Sequence, residues 1–135
     1  MNLKGRVALV TRAAGNGMGR SIALTLAREG AAVAINFRTS EPMANAVADH
    51  IRTNGGRAVA VRANVSESEA CRQMVEETSA QLGPVDIRVV NPGAGWHMGG
   101  SSEIDAGDAM ADIQNEVAPL YHLMPLVLPG MYQRG

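Results

Sequence analysis

Short apolar runs alternate along the chain with stretches whose apolar residues recur every three or four positions. The runs at residues 6–11 (RVALVT), 31–37 (AAVAINF), 57–64 (RAVAVRAN) and 85–91 (VDIRVVN) have the length and β-branched content of buried strands. Between them lie helical patterns. Residues 19–30 set Ile22, Ala23, Leu26 and Ala27 on one side and stop at Gly30, a helix C-terminal signal. Residues 41–56 place Met43, Val47 and Ile51 four apart, with Pro42 in the first turn and Gly55-Gly56 as the stop. Residues 66–83 open on Ser66-x-x-Glu69, the spacing of a capping box, and carry Cys71, Val75, Thr78 and Leu82 on one face. From about Ile104 to Gln133 the pattern is helical again, interrupted by Pro119, Pro125 and Pro129. Each proline costs about 3 kcal/mol in a helix interior, so this last helix is expected to be kinked or broken.

The resulting order is β-α-β-α-β-α-β-α with short connections. Crossovers of this length join parallel strands and are right-handed in nearly all proteins. The pattern therefore predicts a three-layer α/β fold around a parallel sheet of about four strands, in one domain over residues 1–135.

Composition mainly excludes. Hydrophobic residues make up 46% of the chain and aromatics only 3%, which suits helices packed closely on a sheet. The net charge is −1 with no run of like charges, so neither a nucleic acid nor an anionic membrane surface is expected as a partner. No stretch reaches the roughly 18 consecutive apolar residues of a membrane span, and residues 1–15 lack the features of a signal peptide. The lone cysteine, Cys71, cannot form an intrachain disulfide, which fits a cytoplasmic protein with a buried structural thiol. His50, His97 and His122 show no metal-ligand spacing, and Asp105, Asp108 and Asp112 read as a solvated helix face, so no metal is expected.

Candidate chemistry lies after the first strand. TRAAGNGMG (residues 11–19) links that strand to the first helix, where a dinucleotide-binding unit carries its phosphate loop. Gly17 and Gly19 let the backbone approach a pyrophosphate and let the helix pack tightly, with the N–H groups of the helix start facing the anion. Such glycines also occur in turns for structural reasons alone. The neighbouring segments narrow the choice. GRVALVTRAAGNGMGRSIALTLAREGAAVAINFR, ANVSE, VDIRVVNPGAGW and LPGMYQRG together resemble successive landmarks of the short-chain dehydrogenase/reductase family, over residues 3–135.

The resemblance implies a Rossmann-like fold with strand order 3-2-1-4, truncated before the family's fifth strand. It implies the cofactor-binding half of an NAD(P)-dependent oxidoreductase. Residue by residue, it assigns Gly15, Asn16, Gly17, Met18 and Gly19 to the pyrophosphate turn, and Asn64 and Val65 to the adenine contact. Asn91 and Gly93 fall in the loop after the fourth strand. An acidic residue at the end of the second strand would accept from a ribose 2′-OH; this chain has Phe37, Arg38, Thr39 and Ser40 there. Arg38 offers a charge-assisted fork to a 2′-phosphate, so NADP(H) is expected over NAD(H), unless Arg38 is simply a solvated strand-end residue.

Several positions depart from the family pattern. Arg12 occupies a glycine position, where it either adds a cation near the phosphates or spoils the turn through its Cβ; Gly15 is available to supply some of the lost freedom. Pro92 stands where the family has an amide. Trp96, His97 and Met98 fall in the loop that would cover the nicotinamide, or in a plain surface loop. The family's Tyr-x-x-x-Lys pair has no counterpart: Lys4 is the one lysine, and Pro125 stands four residues after Tyr121. Of the catalytic set only the Asn has a candidate, Asn115. The expected protein is thus an NADP(H)-binding half, not catalytic by itself; the alternative is a non-catalytic binding or interaction module. The fourth strand would be an open edge, inviting self-association or a partner chain.

Overall fold

The computed structural model describes residues 2–91, 93, 100 and 102–135. Its elements run β1 (Val7–Val10), α1 (Met18–Arg28), β2 (Ala32–Phe37), α2 (Glu41–Thr53), β3 (Ala58–Arg62), α3 (Ser68–Leu82), β4 (Ile87–Val89) and α4 (Ala106–Arg134). The four strands form one parallel sheet, as the α/β pattern predicts, in the order β3-β2-β1-β4 that the family resemblance implies. Val10 lies opposite Ile35 on one side and Val89 on the other. Every residue of β1 and β2 is buried, because helices cover both faces of the sheet; this is why those strands read as continuous apolar runs.

Two cores result. On one face Val10, Val33, Ile35 and Phe37 pack with Ala23 of α1 and Ala44, Val47, Ala48 and Ile51 of α2. On the other, Leu9, Ala34 and Val61 pack with Cys71, Met74 and Leu82 of α3 and Leu123 and Val127 of α4. Alanines at the contacts let the helices sit close to the sheet, which accounts for the scarcity of aromatic side chains.

Three local expectations fail. The buried stripe of α2 is Ala44, Val47, Ala48 and Ile51, while Met43 is 39% exposed. The Ser66–Glu69 capping box does not form. Helix α3 starts at Ser68, and Glu69 is taken by Arg72, whose guanidinium holds the Glu69 carboxyl down to about 2. Asn64 organises this corner instead, accepting from Ser66 N and donating to Glu67 Oε1 at 2.6 Å.

The third failure is α4, which runs unbroken through all three prolines. Pro119, Leu123 and Val127 recur every four residues on the buried face, so packing offsets the hydrogen bond that Pro119 deletes. Pro125 and Pro129 lie on the exposed side, where water can serve the freed carbonyls. Asp105 is not a plain solvated residue but the N-cap of α4, accepting from Gly107 N and Asp108 N. Asp112 is buried. No helix among the described residues is long and apolar enough to cross a membrane.

Two measurements check this packing. Thr78 Oγ1 is buried with no hydrogen-bond partner among the described residues. Thr78→Val keeps the shape and removes the orphan hydroxyl, so it should stabilise the fold by about 1 kcal/mol in urea unfolding; a destabilised variant would contradict the environment described. Burial pushes the Cys71 thiol up from 9.0 to about 11. The unfolded chain then loses this proton first as pH rises. Stability from this group should be flat below about pH 9 and fall as pH climbs toward 11, a slope that Cys71→Ala should remove.

Candidate functional site

In a parallel sheet of order β3-β2-β1-β4, the chain leaves β1 toward α1 on one face and β4 toward α4 on the other, so a crevice opens between the carboxyl ends of β1 and β4. A cavity of about 220 Å³ lies at this end of the sheet. Arg12 and Gly15 reach it from the loop after β1. Phe37, Arg38, Thr39 and Ser40 line it from the end of β2, and Asn64 and Val65 from the end of β3. Gly93 contributes from beyond β4, and Asn115 and Pro119 from α4. Residues assigned from five separate segments of the sequence thus share one cavity.

Asn16, Gly17, Met18, Gly19 and Asn91 stand beside it. Gly17 is the N-cap of α1, and Met18, 75% exposed, begins the helix. Asn16 Oδ1 accepts from Arg20 Nη1 at 2.9 Å. Asn91 ties β4 to β1: its N–H donates to Thr11 Oγ1 at 2.8 Å, while Thr11 N donates to Val89 O. The glycines divide into two kinds. A Cβ on Gly19 would lie 2.6 Å from both Arg12 O and Asn91 Nδ2, so this glycine is required by packing. A Cβ on Gly15 or Gly17 would meet nothing within 4 Å. The loop there faces open space, as a cradle for a ligand backbone or phosphate must.

Arg12 adopts φ +50 and is the one non-glycine residue with positive φ among the described residues. A left-handed conformation costs a non-glycine residue about 1–2 kcal/mol. The expected relief from Gly15 is not used, since Gly15 keeps an ordinary φ. The turn survives because a side chain that the sequence pattern does not single out holds it. Asn36, in β2, is 1% exposed. Its Oδ1 accepts from Arg12 N at 3.1 Å, and its Nδ2 donates to Ala63 O at 3.2 Å and Val61 O at 3.4 Å. The available signal was one amide in an otherwise apolar run, AAVAINF.

The electrostatics favour an anion. No carboxylate lines the cavity among the described residues, and the first turn of α1 has no acidic residue to oppose its partial positive charge. Arg38 is exposed at the cavity wall. Arg62, in register with Phe37, donates Nε to Arg38 O at 3.2 Å and brings a second guanidinium to the end of β2, which the sequence reading missed. Among the described residues no group of three or more His, Cys, Asp or Glu side chains could hold a metal ion. Pro92, Trp96, His97 and Met98 lie outside the described residues.

Comparison with known proteins bears on the family and the fold. The family described as short chain dehydrogenase matches residues 6–135. The 3-oxoacyl-(acyl-carrier-protein) reductase FabG of Staphylococcus epidermidis is 44% identical over 86 residues, 64% of this chain and 35% of that one. A blue fluorescent protein from a metagenomic library, solved in complex with NADPH, superposes with a TM-score of 0.86 at 31% identity, covering 97% of this chain and 53% of that one. A short chain dehydrogenase from Burkholderia cenocepacia, in complex with NADP, gives 0.81 at 31% identity, covering 93% and 50%. The chain spans about a third of the length of the curated relatives it matches and about half of these solved structures.

The two kinds of glycine should separate by substitution. Gly19→Ala should lose about 2 kcal/mol of stability, although alanine is the better helix former, because its Cβ meets backbone. Gly17→Ala should lose no more than about 1 kcal/mol, the cost of alanine at an N-cap. Equal behaviour of the two variants would refute the distinction.

Proposed function

Because the chain belongs to the short-chain dehydrogenase family, we propose that its residues form the NADP(H)-holding domain of an oxidoreductase that transfers hydride between a carbonyl and an alcohol. The observation that carries this reading is the cavity at the strand ends, which combines Arg38, Thr39 and Ser40 with an absence of carboxylates among the described residues. The bound dinucleotide supplies the hydride; the residues of this chain bind and orient it. Gly15, Asn16, Gly17, Met18 and Gly19, with the N-terminus of α1, receive the pyrophosphate. Arg38 and Thr39, beside Phe37, receive the 2′-phosphate that distinguishes NADP(H) from NAD(H). Asn64 and Val65 bound the adenine, and Asn91 and Gly93 bound the opposite end of the ligand. Asn115 faces the same cavity and is the one candidate for the catalytic set.

The proton-transferring Tyr-x-x-x-Lys pair is not among these residues. The proposal is therefore that the chain binds cofactor but does not turn over a carbonyl substrate by itself. A reducing, cytoplasmic setting suits the buried, unpaired thiol of Cys71.

A second reading, an interaction module, is favoured by the sheet edge. Among the described residues β4 pairs only with β1 and is half-buried, and α4 exposes Met110, Ile113, Val117 and Tyr121. Self-association or a partner chain would cover this open edge.

Titration with NADPH and NADH, followed by nicotinamide fluorescence, tests the first reading. NADPH should bind about tenfold tighter, the worth of one charge-assisted contact, and Arg38→Gln should erase the difference. No response to either cofactor would remove the dinucleotide reading. Carbonyl reduction by this chain alone at an enzymatic rate would refute its catalytic incompleteness.

A further inference from the structure

Arg12 is the residue that the fold alone does not explain. It holds a left-handed backbone that glycine would adopt freely, and its guanidinium makes no hydrogen bond or ion pair among the described residues. Replacement by glycine would relieve the strain and leave every backbone contact of the turn available. Among the described residues nothing uses the guanidinium, which leaves it open to something that binds there.

Its position identifies that something. Arg12 follows β1 and Gly93 follows β4, the two strands that flank the crevice. A Cβ placed on Gly93 would lie 3.9 Å from both Cζ and Nη1 of Arg12, so the guanidinium reaches across from one strand end toward the other. The backbone beneath it is fixed at two points. Arg12 N donates to the buried Asn36 Oδ1, and Arg12 O faces Gly19 in the first turn of α1. The Arg12 backbone is thereby held against the first turn of α1, which carries no acid, and Arg12 lines the cavity at the strand ends. A planar guanidinium and the N–H groups of a helix start are each suited to phosphate oxygens.

We propose that Arg12 is a binding residue for the pyrophosphate of a nicotinamide dinucleotide, adding a side-chain cation where a glycine would offer only backbone. This rests on the dinucleotide reading above. It differs from the role of Arg38, which stands at the end of β2 and meets the phosphate that only NADP(H) carries. Arg12 meets phosphates that both cofactors share, so its contribution is blind to the 2′ position.

The experiment compares the native chain with Arg12→Gln, which keeps the Cβ and the first part of the stem but not the charge, and Arg12→Gly, which removes strain and charge together. NADPH and NADH affinities are read by nicotinamide fluorescence, and thermal melting without cofactor reports folding. Both variants should bind NADPH and NADH about tenfold more weakly, by the same factor for each, while the glycine variant melts no lower than the native chain. Binding by Arg12→Gln within twofold of native would overturn the proposal, as would tighter binding by Arg12→Gly, the outcome for an arginine that obstructs the crevice. A loss confined to NADPH would also overturn it. If the native chain binds neither cofactor, the dinucleotide reading and this assignment fall together. If the native chain binds both and the variants match it, only the role of Arg12 falls.

Discussion

The amide of Asn36 is the interaction on which the rest of the site depends. It sits fully buried in the central region of the sheet, and a buried amide is tolerated only when its donors and acceptor are used. Here they are used at the ends of β1 and β3. The acceptor fixes the backbone of Arg12 as the chain leaves β1, and the donors fix Val61 and Ala63 as it leaves β3. Three neighbouring strands therefore end at a common level. Without that constraint the loops after them would have no shared reference, and the cavity they enclose would have no fixed shape.

Much of the fold was legible because the strongest signals were also the physically dominant ones. β1 and β2 are buried on both faces, and their unbroken apolar runs report that directly. The failures arise where a local rule met a tertiary contact. Ser66 and Glu69 have capping-box spacing, but Arg72 competes for the carboxylate and the helix begins two residues later. Pro119 would break an isolated helix, but it lies on the stripe of α4 that packs against α3. Met43 fits the helical period and is still exposed, while Ala44 beside it is buried with Val47, Ala48 and Ile51.

The site was legible in its glycines and in Arg38, whose spacing relative to the strands carries information. Asn36 and Arg62 were not legible in the same way. Their roles depend on which residue lies across the sheet, and cross-strand register is invisible to a pattern read along one strand. Gly15, Gly17 and Gly19 illustrate the converse. One short motif holds glycines with different physical reasons to exist, and only the distances around Gly19 separate them.

The strand order also has a kinetic consequence. Arg12 and Asn36, which tie β1 to β2, are 24 residues apart, whereas Thr11 and Asn91, which tie β1 to β4, are 80 apart. In an unstructured chain, closing the longer loop costs about 1 kcal/mol more in entropy, and non-local pairings of this kind slow folding. The β3-β2-β1 half of the sheet therefore has the lower entropic barrier, and β4 is the last strand to gain from joining it. The crevice between β1 and β4 exists only after that final step, so the binding site reports completion of the sheet rather than its nucleation.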